Sequence, residues 1–442
     1  MTGIMQMIAS HKVSSGAILD LATPFDFYNP PQLVSASFNG TTQSLSSNSS
    51  VFTQPSDFTV EGWYYAANVT GTHYLFTLGT ETSNRYSYFL SGNAITSNIY
   101  GGNSVSYSST VSINTWNHIA VVRSGSTVSV YLNGNASATT DTQSGTIGTG
   151  NLRIGADSGG LNRFSGNISN FRLANSAIYT STFTAPTGPL SSNVAVFFAS
   201  LGSLPFTDYA GGNITITNIG SMILANSSPF AATWTDRLSG TIVANVATAV
   251  NSFGNPTYDA RFGGGLNILQ NNLTYIDVPT SYSGAAGFTV SMAANIPPAQ
   301  GSHYVAIYDG SVLDRAGQYI NSRQWVGDGL EVGGQGVWGA SNSTTDPVMG
   351  SLAWWDFVYN GRFVNVYKNG SLVTGFNNYD MGVGNQTTGW KNPLRFCGDD
   401  SIAAGNMMWN GAVYRIKLQA TALDSTAITT QYNSVKSNYG LP

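Results

Sequence analysis

Charge is the scarcest property of this 442-residue chain: Asp, Glu, Lys and Arg make up 9% of it, against roughly 25% in an average soluble domain. With a net charge of −4 and no basic run, it offers no electrostatic footprint for nucleic acid. The single cysteine, Cys397, excludes an intrachain disulfide and a cysteine-based zinc site. No run approaches the roughly 18 apolar residues of a membrane span, so membrane insertion is not expected. The opening MTGIMQMIASHKVSSG lacks a basic n-region and a continuous apolar stretch, so a cleaved signal peptide is not expected either. Paired carboxylates are also missing. There are three glutamates, Glu61, Glu81 and Glu331, and none is followed by an acid two or four positions on. That spacing on a strand is the usual way to bring two carboxyls within about 5–5.5 Å for retaining glycoside hydrolysis. Asp399 and Asp400 are adjacent, and on a strand they would face opposite sides. The chain therefore reads as non-enzymatic.

Gly, Ser, Thr and Asn fill the surface instead, and a hydrophobic fraction of 42% leaves enough to build cores. Apolar residues alternate in short runs bounded by turn residues, as in Phe58-Thr59-Val60-Glu61-Gly62-Trp63 and Thr127-Val128-Ser129-Val130-Tyr131-Leu132. Such period-2 runs predict an all-β sandwich architecture. Asn360-Gly361, between two alternating runs, predicts a two-residue hairpin. The one helical candidate is Ser425 to Ser437.

An internal repeat organises the chain. Phe58-Thr59-Val60 returns as Phe288-Thr289-Val290, and Gly71-Thr72-His73-Tyr74 as Gly301-Ser302-His303-Tyr304. Val130-Tyr131-Leu132-Asn133-Gly134 returns as Val366-Tyr367-Lys368-Asn369-Gly370, and Leu152-Arg153-Ile154 as Leu394-Arg395-Phe396. Gly166-Asn167-Ile168 through Arg172-Leu173 aligns with Gly411-Ala412-Val413 through Lys417-Leu418. The order is kept while the offset grows, as it does when two copies differ in loop length. The expected domains are an N-terminal arm (1–32), a first sandwich (33–190), a connector (191–230) and a second sandwich (231–442). On this alignment Trp354 matches Trp116, both read as core residues together with Trp63. Cys397 falls at the place of Gly155 and reads as a small buried hydrophobe. His73 and His303 occupy matching places and read as hydrogen-bonded framework residues.

Phe-Thr-Val-Glu-Gly-Trp, Trp116-Asn117-His118-Ile119-Ala120, Val-Tyr-Leu-Asn-Gly and Phe164-Ser165-Gly166-Asn167-Ile168-Ser169-Asn170-Phe171-Arg172 resemble the laminin-G-like, concanavalin A-like lectin/glucanase superfamily, in the variety common in phage and viral structural proteins. So does the connecting stretch, with Asp208-Tyr209-Ala210-Gly211, Thr217-Asn218-Ile219-Gly220 and Ser227-Ser228-Pro229-Phe230. The resemblance implies two tandem jelly-roll β-sandwiches. It also implies a non-enzymatic virion structural protein on the particle surface, a capsid decoration or a tail-associated component, with glycan or host-surface binding; the alternative is an independent carbohydrate-binding lectin or adhesin. Members of the superfamily bind calcium through loop Asp and Asn oxygens, which points to Asp157, Asp399 and Asp400, although an Asp beside Gly also simply forms turns. Trp325, Trp338 and Trp390, in Gly/Asn-rich segments, are candidates to stack on sugar rings, to pack at a protein interface, or to pack within their loops. The arm carries Ile4, Met7, Ile8, Leu19, Leu21, Phe25 and Phe27 with no domain of its own to bury them. It is expected to attach the protein to other virion proteins or to copies of itself in a homo-oligomer.

Overall fold

The structure, a computed structural model, describes residues 25–28 and 30–442, apart from 55, 81–82, 100–103, 149, 193, 236, 239–242, 249–255, 269–273, 280–281, 284–286, 296–303, 310–318, 324–328, 334–339, 342–349, 361–362, 381–388, 391–393 and 398–410. The fold is all-β, as expected. Four antiparallel sheets of 7 to 9 strands pair into two sandwiches.

The strand Phe58–Ala66 shows how the pattern builds the first sandwich. Phe58, Val60 and Tyr64 point inward and are fully buried, which stabilises by roughly 1.5–3 kcal/mol for each large side chain. Thr59, Glu61 and Trp63 alternate to the outer face. This strand lies between Trp116–Ser124 and Ser165–Ala174 at the centre of an eight-stranded sheet. Facing it is a seven-stranded sheet, ordered Thr217–Ile219, Ser44–Asn48, Asn151–Ile154, Thr72–Thr80, Ser83–Ser91, Ala94–Ile99 and Ser104–Thr110. In the second sandwich Phe288–Asn295 takes the central place, between Leu352–Asn360 and Gly411–Gln419.

The two copies share details finer than strand order. Asn133 accepts the His118 amide on its side-chain oxygen at 2.8 Å, and Asn369 accepts the Trp354 amide at 2.9 Å. Both asparagines have φ of 51°, and the glycines after them, Gly134 and Gly370, have φ of 83° and 77°. A left-handed pair is what an Asn-Gly corner supplies at low cost. Cys397, buried, has φ of 66° where Gly155 has 77°. The fixed register also corrects the tryptophan alignment. Tyr65 faces Trp116 and Asn295 faces Leu352, so Leu352 is the counterpart of Trp116 while Trp354 stands at the place of His118. Trp63, Trp116 and Trp354 all point away from the inter-sheet cores. The hairpin reading is displaced too: Asn360 pairs with Phe363 and so belongs to the strand, not to the turn.

Two segments lie elsewhere than their boundaries suggest. The expected connector supplies strands to the first sandwich: Phe197–Ala199 and Leu224–Ala225 join its eight-stranded sheet and Thr217–Ile219 edges the other. Asp208, buried, fixes this stretch by accepting the amides of Phe198, Ala210 and Ile214. The arm is corrected as well. Phe25–Tyr28 is held by its own chain, pairing Phe25 with Leu418 and Phe27 with Ile416 in the second sandwich. Asp26 meets Arg415 in a bidentate ion pair, at 2.7 and 2.6 Å. The remaining arm candidates, Ile4, Met7, Ile8, Leu19 and Leu21, lie outside the described residues. The helix runs from Ser425 to Val435, capped by Asp424, whose side chain accepts the Ala427 amide.

Candidate functional site

The outer faces of the sandwiches differ in what covers them. Over the eight-stranded sheet of the first, residues after Ala174 fold back, and Tyr179 and Phe183 stack at 3.6 Å against His118 and Tyr131. Beneath this stack Glu61 is fully buried. Its Oε1 accepts from Arg172 Nη2 at 2.6 Å and Nε at 3.0 Å, and its Oε2 from Tyr179 at 2.9 Å and His118 Nε2 at 3.1 Å. Burial pushes the carboxyl up, but the His118 hydrogen bond and the Arg172 charge together outweigh it and hold it below its ordinary value. Asp57, four residues before Glu61, precedes the strand and accepts the Gly125 amide at 2.7 Å. The cluster fastens the covering segment, and Arg172 extends the hold by donating to the Ser191 carbonyl. The one sequence signal for it was a glutamate in the middle of an apolar strand.

On the outer face of the seven-stranded sheet Tyr74 stacks on Phe89, ring centroids 4.8 Å apart, and no larger apolar cluster forms there among the described residues. One rung of residues runs across all seven strands: Thr217, Ser46, Arg153, Thr77, Ser87, Asn98 and Ser104. All are polar, and alternation with core residues such as Leu45, Leu152 and Leu78 aims them away from the core; Thr77 and Ser87 in the middle are buried among their neighbours, and only Thr217 and Ser104 at the ends are exposed. At one end lies a groove of about 440 Å³, lined by Ser46, Asn48, Asn151, Arg153, Thr215 and Thr217 among others. Its described lining offers hydroxyls, amides and one guanidinium. These groups bind polyols and anions; they include no nucleophile with an adjacent base and no carboxylate pair. None of the rung was singled out from the sequence, because isolated Ser, Thr and Asn look like any β surface until register aligns them.

Of the predicted metal ligands, Asp157 is buried in a tight loop, its Oδ1 accepting the Leu161 amide at 2.7 Å and its Oδ2 the Asn162 side-chain amide at 2.8 Å. Both oxygens thus serve the turn. Asp399 and Asp400 lie outside the described residues, as do Trp325, Trp338 and His303. Trp390 is described by its backbone, which pairs with Tyr282. His73 is a framework residue, its ring nitrogens 2.8 and 3.0 Å from the carbonyls of Arg163 and Thr70.

Residues 39–181 match the family described as the concanavalin A-like lectin/glucanases superfamily. Among solved structures, the chain is similar to a Bacteroides ovatus protein assigned a carbohydrate-binding role, at 16% identity and a TM-score of 0.37, covering 46% of this chain and 62% of that one. It is similar to a heptameric pentraxin of Limulus polyphemus at 19% identity, covering 45% of this chain and 98% of that one, with a TM-score of 0.35. The fourth domain of an extracellular arabinanase from Geobacillus stearothermophilus, solved with arabinotriose, matches at 15% identity over 44% of this chain and 91% of that one, with a TM-score of 0.33. No curated protein matches the sequence significantly.

Proposed function

We propose that the protein is a non-enzymatic structural component of a virion, a capsid decoration or tail-associated protein, that binds glycans through the seven-stranded sheet of its first sandwich. The observation that carries the glycan reading is the all-polar rung ending in a groove of about 440 Å³. A groove of hydroxyls and amides competes well for sugar hydroxyls, whose hydrogen bonds to water it can replace one for one. The virion reading is supported by the sequence resemblance of the first sandwich and the stretch that follows it. An independent lectin or adhesin with the same groove is the second reading.

Two measurements separate these. Binding of a panel of neutral oligosaccharides is expected to be weakened by Thr217→Val and Asn151→Ala, with no release of reducing sugar from any polysaccharide. Binding indifferent to both changes would remove the groove from the reading. Antibody labelling of purified particles is expected to place the protein on their surface; recovery only as free protein would favour the independent lectin.

A further inference from the structure

The groove's one described cation is set in an unusual way. Arg153 is half-buried on the sheet, and its Nη1 lies 3.4 Å from the Ser44 hydroxyl, a long contact. A second guanidinium stands beside it. A methyl placed on Gly160 would sit 2.9 Å from Arg153 Nη1 and 3.6 Å from Arg163 Nη2, so one glycine separates the two cations. Arg163 is tied at its other end, donating to the Thr41 carbonyl at 2.9 Å. Asp157, the carboxylate whose charge acts on Arg153, has both oxygens committed to its own loop. Among the described residues neither arginine forms an ion pair. Burial and the Arg163 charge both press the Arg153 pKa down, against a smaller opposing pull from Asp157. Two like charges held together on a partly dried surface, without a counter-ion of their own, are relieved by an anion that accepts from both.

We propose that the groove is a site for an acidic sugar, whose carboxylate or sulfate is received by Arg153 with Arg163 as the second cation. The inference rests on the glycan reading of the groove and names its ligand class. Planar guanidinium donors suit either anion, and neighbouring hydroxyl and amide groups of Asn48, Asn151 and Thr217 are available to the sugar ring. Gly160, with φ of 80°, keeps the space between the two cations open.

The test uses the full chain. Inorganic sulfate is titrated while the Arg153 and Arg163 Nε–H signals are followed by NMR. Oligogalacturonate, sulfated dextran oligomers and neutral dextran oligomers are then compared by calorimetry at low salt. Sulfate is expected to shift both arginine signals, and one or both acidic oligomers to bind about tenfold or more tighter than neutral dextran, as charge-assisted pairing implies. The two acidic probes distinguish carboxylate from sulfate as the preferred group. Arg153→Gln is expected to abolish the preference, while Arg153→Lys, which keeps the charge, retains part of it. An Arg153 signal unmoved by sulfate, or a preference that survives Arg153→Gln, overturns the acidic-sugar inference whatever neutral sugars do. A normal sulfate response with no oligosaccharide bound overturns the glycan reading of the groove instead, and with it the sugar part of this one.

Discussion

The two sandwiches solve one problem differently at one register position. In the first, Glu61 faces Arg172 across the sheet, and carboxylate and guanidinium meet directly. In the second, the same pair of positions holds Ser291 and Lys417, and the carboxylate moves to the neighbouring strand as Asp356. Lys417 reaches it through an intermediary. Its Nζ donates to Gln431 Oε1 at 2.7 Å, and Gln431 Nε2 donates to Asp356 Oδ1 at 2.9 Å and to Ser291 at 2.8 Å. Trp354 Nε1 also donates to Asp356 Oδ1, at 3.0 Å. The covering element differs accordingly: a stacked Tyr–Phe pair over Glu61, and the Ser425–Val435 helix, which carries Gln431, over Asp356. A buried acid met by a guanidinium is held ionised, whereas one met by neutral donors has its carboxyl pushed up by burial to about 6 despite those donors.

The widest separation between the copies should come from truncating the side chain at the Glu61 position of each. Glu61→Ala leaves Arg172 buried without its partner and is expected to cost about 3–5 kcal/mol, lowering the calorimetric transition of the first sandwich. Ser291→Ala removes one neutral hydrogen bond and should cost about 1 kcal/mol in the second. Equal losses would dissolve the comparison. The pH dependence adds a check of sign. The Glu61 contribution is present above its unfolded value and lost as pH falls through its lowered folded one, so acid should narrow the gap between wild type and variant.

The corner glycines give a smaller contrast. A Cβ on Gly134 would lie 1.8 Å from the Phe183 carbonyl oxygen, which is backbone beneath the aromatic stack. On Gly370 it would meet the Tyr432 ring at 2.9 Å, and a ring can shift. Gly134→Ala is therefore expected to cost about 2–4 kcal/mol and Gly370→Ala about 1–2 kcal/mol, since the left-handed strain is common to both and the overpacking is not. Chemical denaturation of each variant reads the difference, and the reverse order would show that the helix cover is the stiffer one.

The smallest effect is a gain. Asp356 favours its protonated form in the folded state, so its contribution is fully present below the unfolded value and lost as pH rises through about 6. Asp356→Asn removes that ionisation and should raise the stability of the second sandwich by about 1–2 kcal/mol at pH 8, with little change near pH 4. Destabilisation at both pH values would mean that the carboxylate is better satisfied than its single hydrogen-bonded oxygen suggests.

The sequence carried the architecture well, because period-2 burial and Asn-Gly corners are local signals. Phe58, Val60 and Tyr64 alternate inward as their spacing demands, and the repeated Asn133 and Asn369 corners mark true register. It misled where a conspicuous residue invited alignment. Trp354 invites alignment with Trp116, two positions from its true register, because a tryptophan match outweighs a Leu and a His. The strands of the connector and Phe25–Tyr28 are not legible in the sequence, because pairing partners far along the chain leave no local trace. The Glu61 cluster draws on four segments, and the groove gathers residues from Ser46 to Thr217. Both become visible only through the sheet that aligns them.

The placement of Phe25–Tyr28 decides how the molecule would carry a load. The chain pairs with the second sandwich as far as Tyr28, sets Leu33 in its core, builds the first sandwich and returns at Thr233, so the short strand is the outermost tie of the loop that carries the first sandwich. Phe25 and Leu418 lie at the same end of that pairing. Tension drawn from the chain before Phe25 and after Gln419 would peel the strand one hydrogen bond at a time instead of shearing it. It would act as a fuse, giving way ahead of Leu33 and the core behind it.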